Sequence, residues 1–519
     1  MNKILFPVFI FILLLFFTGY LFKYSSVYFP TRISKSPYPV SNLPDTLFVI
    51  DDQYFTKPQL LTIHSLQGIL AQNKPKIYQV NKYGYKTWLN DLVQNYGIIA
   101  DSSYISDFYG LINKFKNKIS GYILTDYNTP SIYIASSMAG FEKTIIVTPK
   151  EEVKIKELGL TLIHDVRKNN YKWLLKNYEQ MFNKNLLFYA QLNAVPYLVD
   201  YSIFSKSIFF YEEINSAITN KIFSLSKINT VLLGWGDNEF NLITRTSQNS
   251  IIVIPADWAL NLSTLSNIGV ETRQRSHITK TKAIENVHTV CFLMSDGDNI
   301  QWVLNKFSTN DRWYGNKFRN KIPLGWTISP SLTELAPTIL KQLYYTASQN
   351  PKGRDYFVAA PSGYGYIFPD EYNNLRLYSS QLNKLLSKSD LHIVNIIGNS
   401  IEEKYLSAYL KQDNIDALFY YYYKNYSAGK GQILWSNNKP IVTGRYNLWN
   451  GFENSKSLAE KINHLSKNIH SQDGYSLIPV HVWSKSVDSV MSCIKNLNKN
   501  IRVVPPDEFV ALIKENVNH

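Results

Sequence analysis

Cysteine is nearly absent from this chain of 519 residues, which contains only Cys291 and Cys493. The two form no spaced motif, so the sequence offers neither a disulfide framework nor a cysteine-based metal site. Cys291 falls in an apolar strand pattern and Cys493 in an amphipathic helical pattern. We therefore expect two buried thiols.

Acidic residues are also outnumbered, with 40 Asp and Glu against 54 Lys and Arg. The basic residues are scattered, and no arginine-rich block or nucleic-acid-binding motif accompanies them. A basic, soluble surface is the favoured interpretation, and no nucleic-acid partner is expected. The hydrophobic content of 45% indicates a folded protein, and the length predicts two or more domains.

Charge is lacking altogether in the long apolar run Ile4–Phe22, which follows Met-Asn-Lys. A short positive start before such a run predicts export. The run nearly spans a bilayer and no small-x-small cleavage site follows it, which favours a retained anchor over a cleaved peptide. Residues 1–24 are therefore predicted to be a signal anchor or signal peptide, and residues 25–44 a proline-containing spacer. The body of the protein would lie outside the membrane, or be secreted if the segment is cleaved.

Strand-like and helix-like segments alternate after the spacer. In residues 45–284 this alternation predicts N-terminal α/β domains with mainly parallel sheets. The pattern turns polar and basic around Glu271–Lys282, where we place the domain boundary. Residues 285–519 show eight strand patterns and six helical crossovers, which predicts a C-terminal (β/α) barrel of seven or eight strands.

Polar and aromatic residues follow nearly every predicted strand of this second half. In a (β/α) barrel, function resides in the loops after the carboxyl ends of the strands. These loops contain Ser295–Asn299, Ser329–Ser331, Ser362–Asp370, Gly398–Ser400, Tyr423–Tyr426, Arg445–Trp449 and His481–Trp483. Because polar or aromatic residues occur in all of these loops, we predict a functional site on the rim that the carboxyl ends of the strands form.

Asp296 and Asp298 are the most specific pair on the predicted rim. They flank Gly297 directly after an apolar strand, and two carboxylates are what glycosidic cleavage requires. The same pair could hold a divalent cation with His481 as a nitrogen ligand, or Asp296 could cap a following helix. Glu334, one helical turn after the second strand, is an alternative acid.

Aromatic side chains among these loops favour a sugar as the ligand. Tyrosine offers a flat apolar face with a hydroxyl at its tip, and the neighbouring glycines let the backbone approach a ligand closely. Arg445 could clamp an anionic group or pair with an acid of the barrel, and Asp370 could instead cap a helix. The predicted substrate-binding residues are Tyr364, Tyr366, Asp370, Arg445, His481 and Trp483.

The segment Gly363–Pro369, with the sequence GYGYIFP, resembles the motif that names the GxGYxYP family of candidate glycoside hydrolases. It departs once, because Phe368 stands where the family has tyrosine; the ring is kept and the hydroxyl is lost. Further segments that resemble the family are Met294–Asn299, Gly325–Pro330, Tyr420–Tyr426, Ser65–Gly68 and Ala135–Gly140.

The resemblance implies an exported bacterial protein that acts on a glycan or polysaccharide through a catalytic, barrel-like C-terminal domain. The end of the chain also resembles the close of polysaccharide-deacetylase barrels, which bind a metal through aspartate and histidines. No His-x-x-x-His occurs in this sequence, which argues against a zinc deacetylase. We expect a glycoside hydrolase without a cofactor. The alternatives are a deacetylase that uses a divalent cation and a non-catalytic, surface glycan-binding protein.

Overall fold

The computed structural model describes residues 36–81, 84–274 and 282–518. The predicted anchor or signal peptide and residues 25–35 of the spacer lie outside this part of the chain, and so does most of the predicted boundary segment 271–282. In the ranges that are described, no helix is long and apolar enough to cross a membrane. Export and anchoring therefore stay predictions from residues 4–22.

In the described residues of the first half, ten short strands form three parallel sheets. They are β1 (Thr46–Asp51), β2 (Ile77–Val80), β3 (Ile99–Asp101), β4 (Gly121–Leu124), β5 (Thr144–Val147), β6 (Leu162–Asp165), β7 (Leu186–Tyr189), β8 (Ile208–Phe210), β9 (Thr230–Gly234) and β10 (Ile251–Ile254). The first sheet has the order β2-β1-β3, the second β5-β4-β6 and the third β10-β9-β7-β8. All their pairings are parallel, as the alternation of strands and helices predicts.

Helices connect most of these strands. They are α1 (Lys57–Ala71), α2 (Gly84–Tyr96), α3 (Phe108–Phe115), α4 (Ser131–Glu142), α5 (Pro149–Glu157), α6 (Tyr171–Tyr178), α7 (Val195–Ser205), α8 (Ala217–Leu225), α9 (Glu239–Gln248) and α10 (Leu262–Leu265). α1 is buried on nearly all sides because it packs against α7 and β5. The hydroxyl of Thr62 donates to the carbonyl of Ile146 at 2.6 Å, and the Ile146 amide donates to Ser65 Oγ at 2.9 Å. α1 thus joins β5 of the second sheet to α7, the helix that follows β7 of the third sheet.

Nine strands of the second half form one large sheet. They are β11 (His288–Met294), β12 (Leu324–Ile328), β13 (Asp355–Ala359), β14 (Ile393–Gly398), β15 (Ala417–Tyr422), β16 (Ile433–Ser436), β17 (Lys439–Thr443), β18 (Tyr475–Val480) and β19 (Ile501–Val503). The order is β16-β17-β15-β14-β13-β12-β11-β18, and β19 also pairs with β11. All pairings are parallel except that of β16 with β17.

The two ends of this large sheet curl towards each other. After β17 the chain meets β18 at two isolated bridges, Gly444 with Leu477 and Leu448 with Val480. The Arg445 amide donates to the Leu477 carbonyl at 2.9 Å between them. Because the described strands β17 and β18 share no continuous ladder, the observed form is a curled half barrel. The closed barrel of seven or eight strands is not confirmed.

The helices of the second half lie between its strands. They are α11 (Ile300–Trp302), α12 (Leu332–Leu335), α13 (Pro337–Thr346), α14 (Leu375–Ser389), α15 (Glu403–Leu410), α16 (Ser455–Asn463), α17 (Val487–Lys495) and α18 (Pro506–Asn516). α11 continues into one π-helical turn, Val303–Phe307. Alternating helices place the carboxyl ends of the parallel strands on one edge of the sheet, and that edge carries the site.

Candidate functional site

A cavity of about 340 Å³ lies at the carboxyl ends of β11, β14, β15 and β18. Asp296 and Asp298 follow β11, and His481 and Trp483 follow β18. Residues after β9 of the third sheet complete its wall, among them Glu239. We call this cavity the acidic pocket, after its three carboxyl groups Asp296, Asp298 and Glu239.

Asp296 occupies a sharp turn directly after the buried strand β11. Its φ is 67°, and an added Cβ on the next residue, Gly297, would lie 1.6 Å from the carbonyl oxygen of Thr327. Only glycine allows so close an approach, and the Gly297 amide donates to Thr327 Oγ1 at 2.9 Å. The Asp296 carboxylate accepts one hydrogen bond from Trp483 Nε1 at 2.9 Å and another from the Ser295 hydroxyl. These contacts hold its oxygens in a fixed orientation.

Asp298 is the most enclosed of the three carboxyl groups, with 7% of its surface exposed. Burial raises the pKa of Asp298 well above its ordinary value, and the nearby charges of Asp296 and Glu239 raise it further. Removal from water disfavours the charged form, and so do neighbouring negative charges. Asp298 is therefore the group in the pocket that is suited to hold a proton and donate it.

Glu239 is supplied by the third sheet, at the first residue of α9. The side chain of Asn238 caps this helix by accepting from the Asn241 amide at 3.0 Å. Glu239 Oε1 accepts a hydrogen bond from the Tyr366 hydroxyl at 2.8 Å. Burial raises the pKa of Glu239, the hydrogen bond from Tyr366 opposes that rise, and the charge of Asp296 adds to it.

Tyr366 reaches Glu239 because its own segment docks on β10. The Tyr366 amide donates to the Val253 carbonyl at 2.7 Å, and the Val253 amide donates back at 3.3 Å, which forms an isolated antiparallel bridge. An added Cβ on Gly365 would lie 2.6 Å from Ile252 Cγ2, so a larger residue cannot dock in this way without a shift. The ring of Tyr366 also stacks with Trp235 at 6.3 Å between centroids and 16° between planes. The glycine-tyrosine motif thus attaches the large sheet to the third sheet.

His481 lies on an aromatic wall of the acidic pocket. Its ring stacks on Trp449, with 4.0 Å between centroids and 15° between planes, and its Nδ1 is 3.0 Å from Ser484 Oγ. Burial lowers the pKa of His481, and the nearby Asp296 charge opposes that fall. Tyr426 lies on the same wall, and its pKa is raised by burial and by the three carboxyl groups.

Trp483 is held in place by two other tryptophans. Its ring centroid is 5.0 Å from that of Trp302 and 5.9 Å from that of Trp313. Trp313 is anchored in turn, because its Nε1 donates to the Val482 carbonyl at 3.0 Å. Trp483 nevertheless keeps 44% of its surface exposed, so an indole face is available to a ligand beside Asp296.

Two of the residues named from the sequence lie in a different cavity. Glu334 and Tyr364 line a cavity of about 730 Å³, away from the acidic pocket. Glu334 is buried and forms an ion pair with Lys388 at 2.8 Å, so it is occupied by a structural contact. The Tyr364 carbonyl accepts from Ser331 Oγ at 2.8 Å. The structure therefore does not bring these two together with Asp296.

Asp370 and Arg445 also lie outside the lining of the acidic pocket. Asp370 accepts from the Asn399 amide at 3.5 Å, and burial raises its pKa. The Arg445 guanidinium donates to the carbonyl oxygens of Tyr475 and Gln472, each at 3.1 Å. These contacts tie loops of the large sheet together and leave Arg445 no evident role in the pocket.

The side chains of Asp296, Asp298 and His481, the alternative metal ligands, do not form a group that is placed to hold one metal ion. Within the described residues, no group of three or more His, Cys, Asp or Glu side chains is placed to hold a metal ion. The hydrogen bonds to Asp296 come from Trp483 and Ser295 instead.

Glu239 is the carboxyl group of the acidic pocket that the sequence interpretation missed. Its loop, Gly234–Glu239, follows an apolar strand and contains Trp235, which is the same signal that singled out the loops of the second half. That signal cannot show that a loop of the first half meets the second half, because the contact depends on the bridge between Val253 and Tyr366.

Comparisons with known proteins cover nearly the whole described chain. Four consecutive family models match it: "GxGYxYP_N 1st domain" at residues 46–117, "GxGYxYP_N second domain" at 119–182, "GxGYxYP third domain" at 185–267 and "GxGYxYP putative glycoside hydrolase C-terminal domain" at 286–514. A crystal structure from Bacteroides thetaiotaomicron, titled a putative hydrolase, has a TM-score of 0.86 and 31% sequence identity. The match covers 95% of this chain and 99% of that chain. No curated protein matches the chain.

Proposed function

Because the chain belongs to the GxGYxYP family, whose C-terminal domain carries the description "putative glycoside hydrolase", we propose that the acidic pocket hydrolyses a glycosidic bond. The observation that carries the proposal is the pairing of two unlike carboxyl groups after β11. Asp298 is buried and has a raised pKa, whereas Asp296 accepts two hydrogen bonds at a turn. In glycosidases, such a difference in environment determines which carboxyl group is the general acid and which is the nucleophile or general base.

In this proposal Asp298 is the general acid. It donates its proton to the glycosidic oxygen as the bond to the anomeric carbon breaks. Asp296 either attacks the anomeric carbon or takes a proton from the water that attacks it. In the first case water then hydrolyses the glycosyl-enzyme ester, and the Asp298 carboxylate accepts a proton from that water. Trp483 and Ser295 hold the Asp296 oxygens during these steps.

Glu239 and the aromatic walls bind and orient the sugar in this proposal. The Glu239 carboxylate, held by Tyr366, accepts a hydrogen bond from a sugar hydroxyl. The exposed face of Trp483 supplies an apolar surface for the ring of the sugar. The half barrel of residues 285–519 would carry the chemistry, and the α/β domains of residues 45–284 would contribute Glu239 and Trp235.

The test compares Asp296→Asn and Asp298→Asn with the unchanged protein. A glycan panel is screened for new reducing ends, acetate release and binding. Each substitution should lower turnover on the active glycan by about 10²–10⁴-fold, the range that general acid–base catalysis contributes. Asp413→Asn, at an exposed aspartate on the surface, is the matched control and should leave turnover unchanged.

Three outcomes would count against the proposal. Full turnover in both variants would remove the pair from catalysis. Acetate release that a chelator abolishes would favour a metal-dependent deacetylase. Saturable binding without any product, unchanged in both variants, would favour a glycan-binding protein.

A further inference from the structure

Another cavity, of about 520 Å³, lies at the carboxyl ends of strands of the third sheet, and we call it the second cavity, with the acidic pocket as the first. Tyr189 at the end of β7, Tyr211 after β8 and residues 236–238 after β9 contribute to its lining. In the order β10-β9-β7-β8, strands β8 and β9 lie on opposite sides of β7. The carboxyl ends of parallel strands at such a switch point form a crevice, which is where open α/β sheets bind ligands.

The lining of this second cavity combines rings with hydrogen-bonding groups. The rings of Tyr189 and Tyr211 lie 4.8 Å apart at 36°. The Asp237 carboxylate accepts from the Tyr211 hydroxyl and from Gln191 Nε2. A carboxylate has about four acceptor positions, so Asp237, which is exposed, can accept further hydrogen bonds from a ligand. Asn241 adds an exposed amide on the same lining. A ligand with apolar faces and many hydroxyls fits this set of groups.

One short loop joins the second cavity to the acidic pocket. Trp235 and Glu239 line the acidic pocket, whereas Gly236, Asp237 and Asn238 between them line the second cavity. Each of these three residues is at most two Cα–Cα steps, about 8 Å, from a residue that lines the acidic pocket. The cavities therefore lie on two sides of the same loop, within reach of one short carbohydrate chain.

We propose that the second cavity is a binding subsite for a further sugar unit of an oligosaccharide whose scissile bond lies in the acidic pocket. The proposal rests on the proposed glycosidase function and specifies its substrate class. The enzyme would act on oligosaccharides or polysaccharides in preference to simple monoglycosides.

The kinetic test uses an aryl monoglycoside and an oligosaccharide of the same sugar, both taken from the active members of the panel. Tyr211→Ala and Asn241→Ala should each lower kcat/KM more for the oligosaccharide than for the monoglycoside. For Tyr211→Ala the expected difference is about five- to tenfold, from the loss of one aromatic contact. Tyr54→Ala, at an exposed tyrosine of the first domain, is the control and should keep the ratio of the two substrates constant.

A binding measurement separates this proposal from the glycosidase proposal. Calorimetric titration of the Asp298→Asn protein with the oligosaccharide should show a Kd that Tyr211→Ala weakens about five- to tenfold. If no glycan is hydrolysed but this weakening is seen, the glycosidase function fails and the second cavity stands as a glycan-binding site. If Tyr211→Ala and Asn241→Ala change neither the substrate ratio nor the Kd, the subsite is overturned. Lack of any glycan binding would overturn it as well.

Discussion

Replacing Tyr366 by phenylalanine removes one hydroxyl from the acidic pocket and leaves the ring in place. The lost contact is the hydrogen bond of 2.8 Å from the Tyr366 hydroxyl to Glu239 Oε1. A hydrogen bond to a charged group contributes about 1.5–3 kcal/mol, and because Glu239 is half-buried, a water molecule can take over part of this. We therefore expect a fall in kcat/KM near the lower end of that range, about tenfold.

The pH dependence of kcat/KM gives the sharper measurement. Burial already raises the pKa of Glu239, and the Tyr366 hydroxyl opposes that rise. Its removal raises the pKa of Glu239 further, so the acidic limb of the profile should move to higher pH in Tyr366→Phe. Tyr364→Phe is the matched control, because it removes a hydroxyl from the same motif in a different cavity. Profiles of Tyr366→Phe and the unchanged protein that coincide would refute the assigned role of Glu239.

Two further predictions concern stability. Burial and two neighbouring carboxyl groups raise the pKa of Asp298 in the folded state above its unfolded value. The stability that this group contributes is therefore present below the unfolded pKa, and it is lost as pH rises through the folded pKa. Asp298→Asn should therefore raise Tm at neutral pH, and the gain in Tm should shrink towards acidic pH. The control Asp413→Asn should show no gain. A gain in Tm that is constant with pH would contradict this prediction. Gly365→Ala should lower the free energy of unfolding by about 1–3 kcal/mol, since its Cβ would lie 2.6 Å from Ile252 Cγ2. Denaturant titration measures that change, and an unchanged midpoint would show that the bridge can shift without cost.

Local pattern predicts much of the secondary structure. The apolar run of β11 predicts a strand over His288–Met294, and the observed strand has these bounds. Helical periodicity over residues 332–348 predicts one helix, but the structure has two, because Pro337 restricts the preceding residue and begins a new helix. The curl of the large sheet is not encoded locally, since it depends on contacts of β18 with residues 444 and 448.

The site follows the same division between local and non-local information. Asp296, His481 and Trp483 could be placed on one rim because parallel strands of one sheet end on one edge. The sequence pattern could not show that Tyr364 and Tyr366 line different cavities. The positive φ of Ser362 (54°) and Gly363 (97°) bends the chain just before them, and the two rings enter different cavities.

The bridge between Val253 and Tyr366 has a consequence for the order in which the molecule matures. Glu239 and Val253 belong to the first half, whereas their partner Tyr366 lies well inside the second. During synthesis, the ribosome must therefore pass residue 366 before Glu239 can meet its partner. Until then the hydrogen bond from Tyr366 to Glu239 cannot form, and the acidic pocket lacks the part of its lining that Tyr366 supplies. A nascent or truncated chain that ends before residue 366 therefore lacks the contact that holds Glu239 in the wall of the acidic pocket.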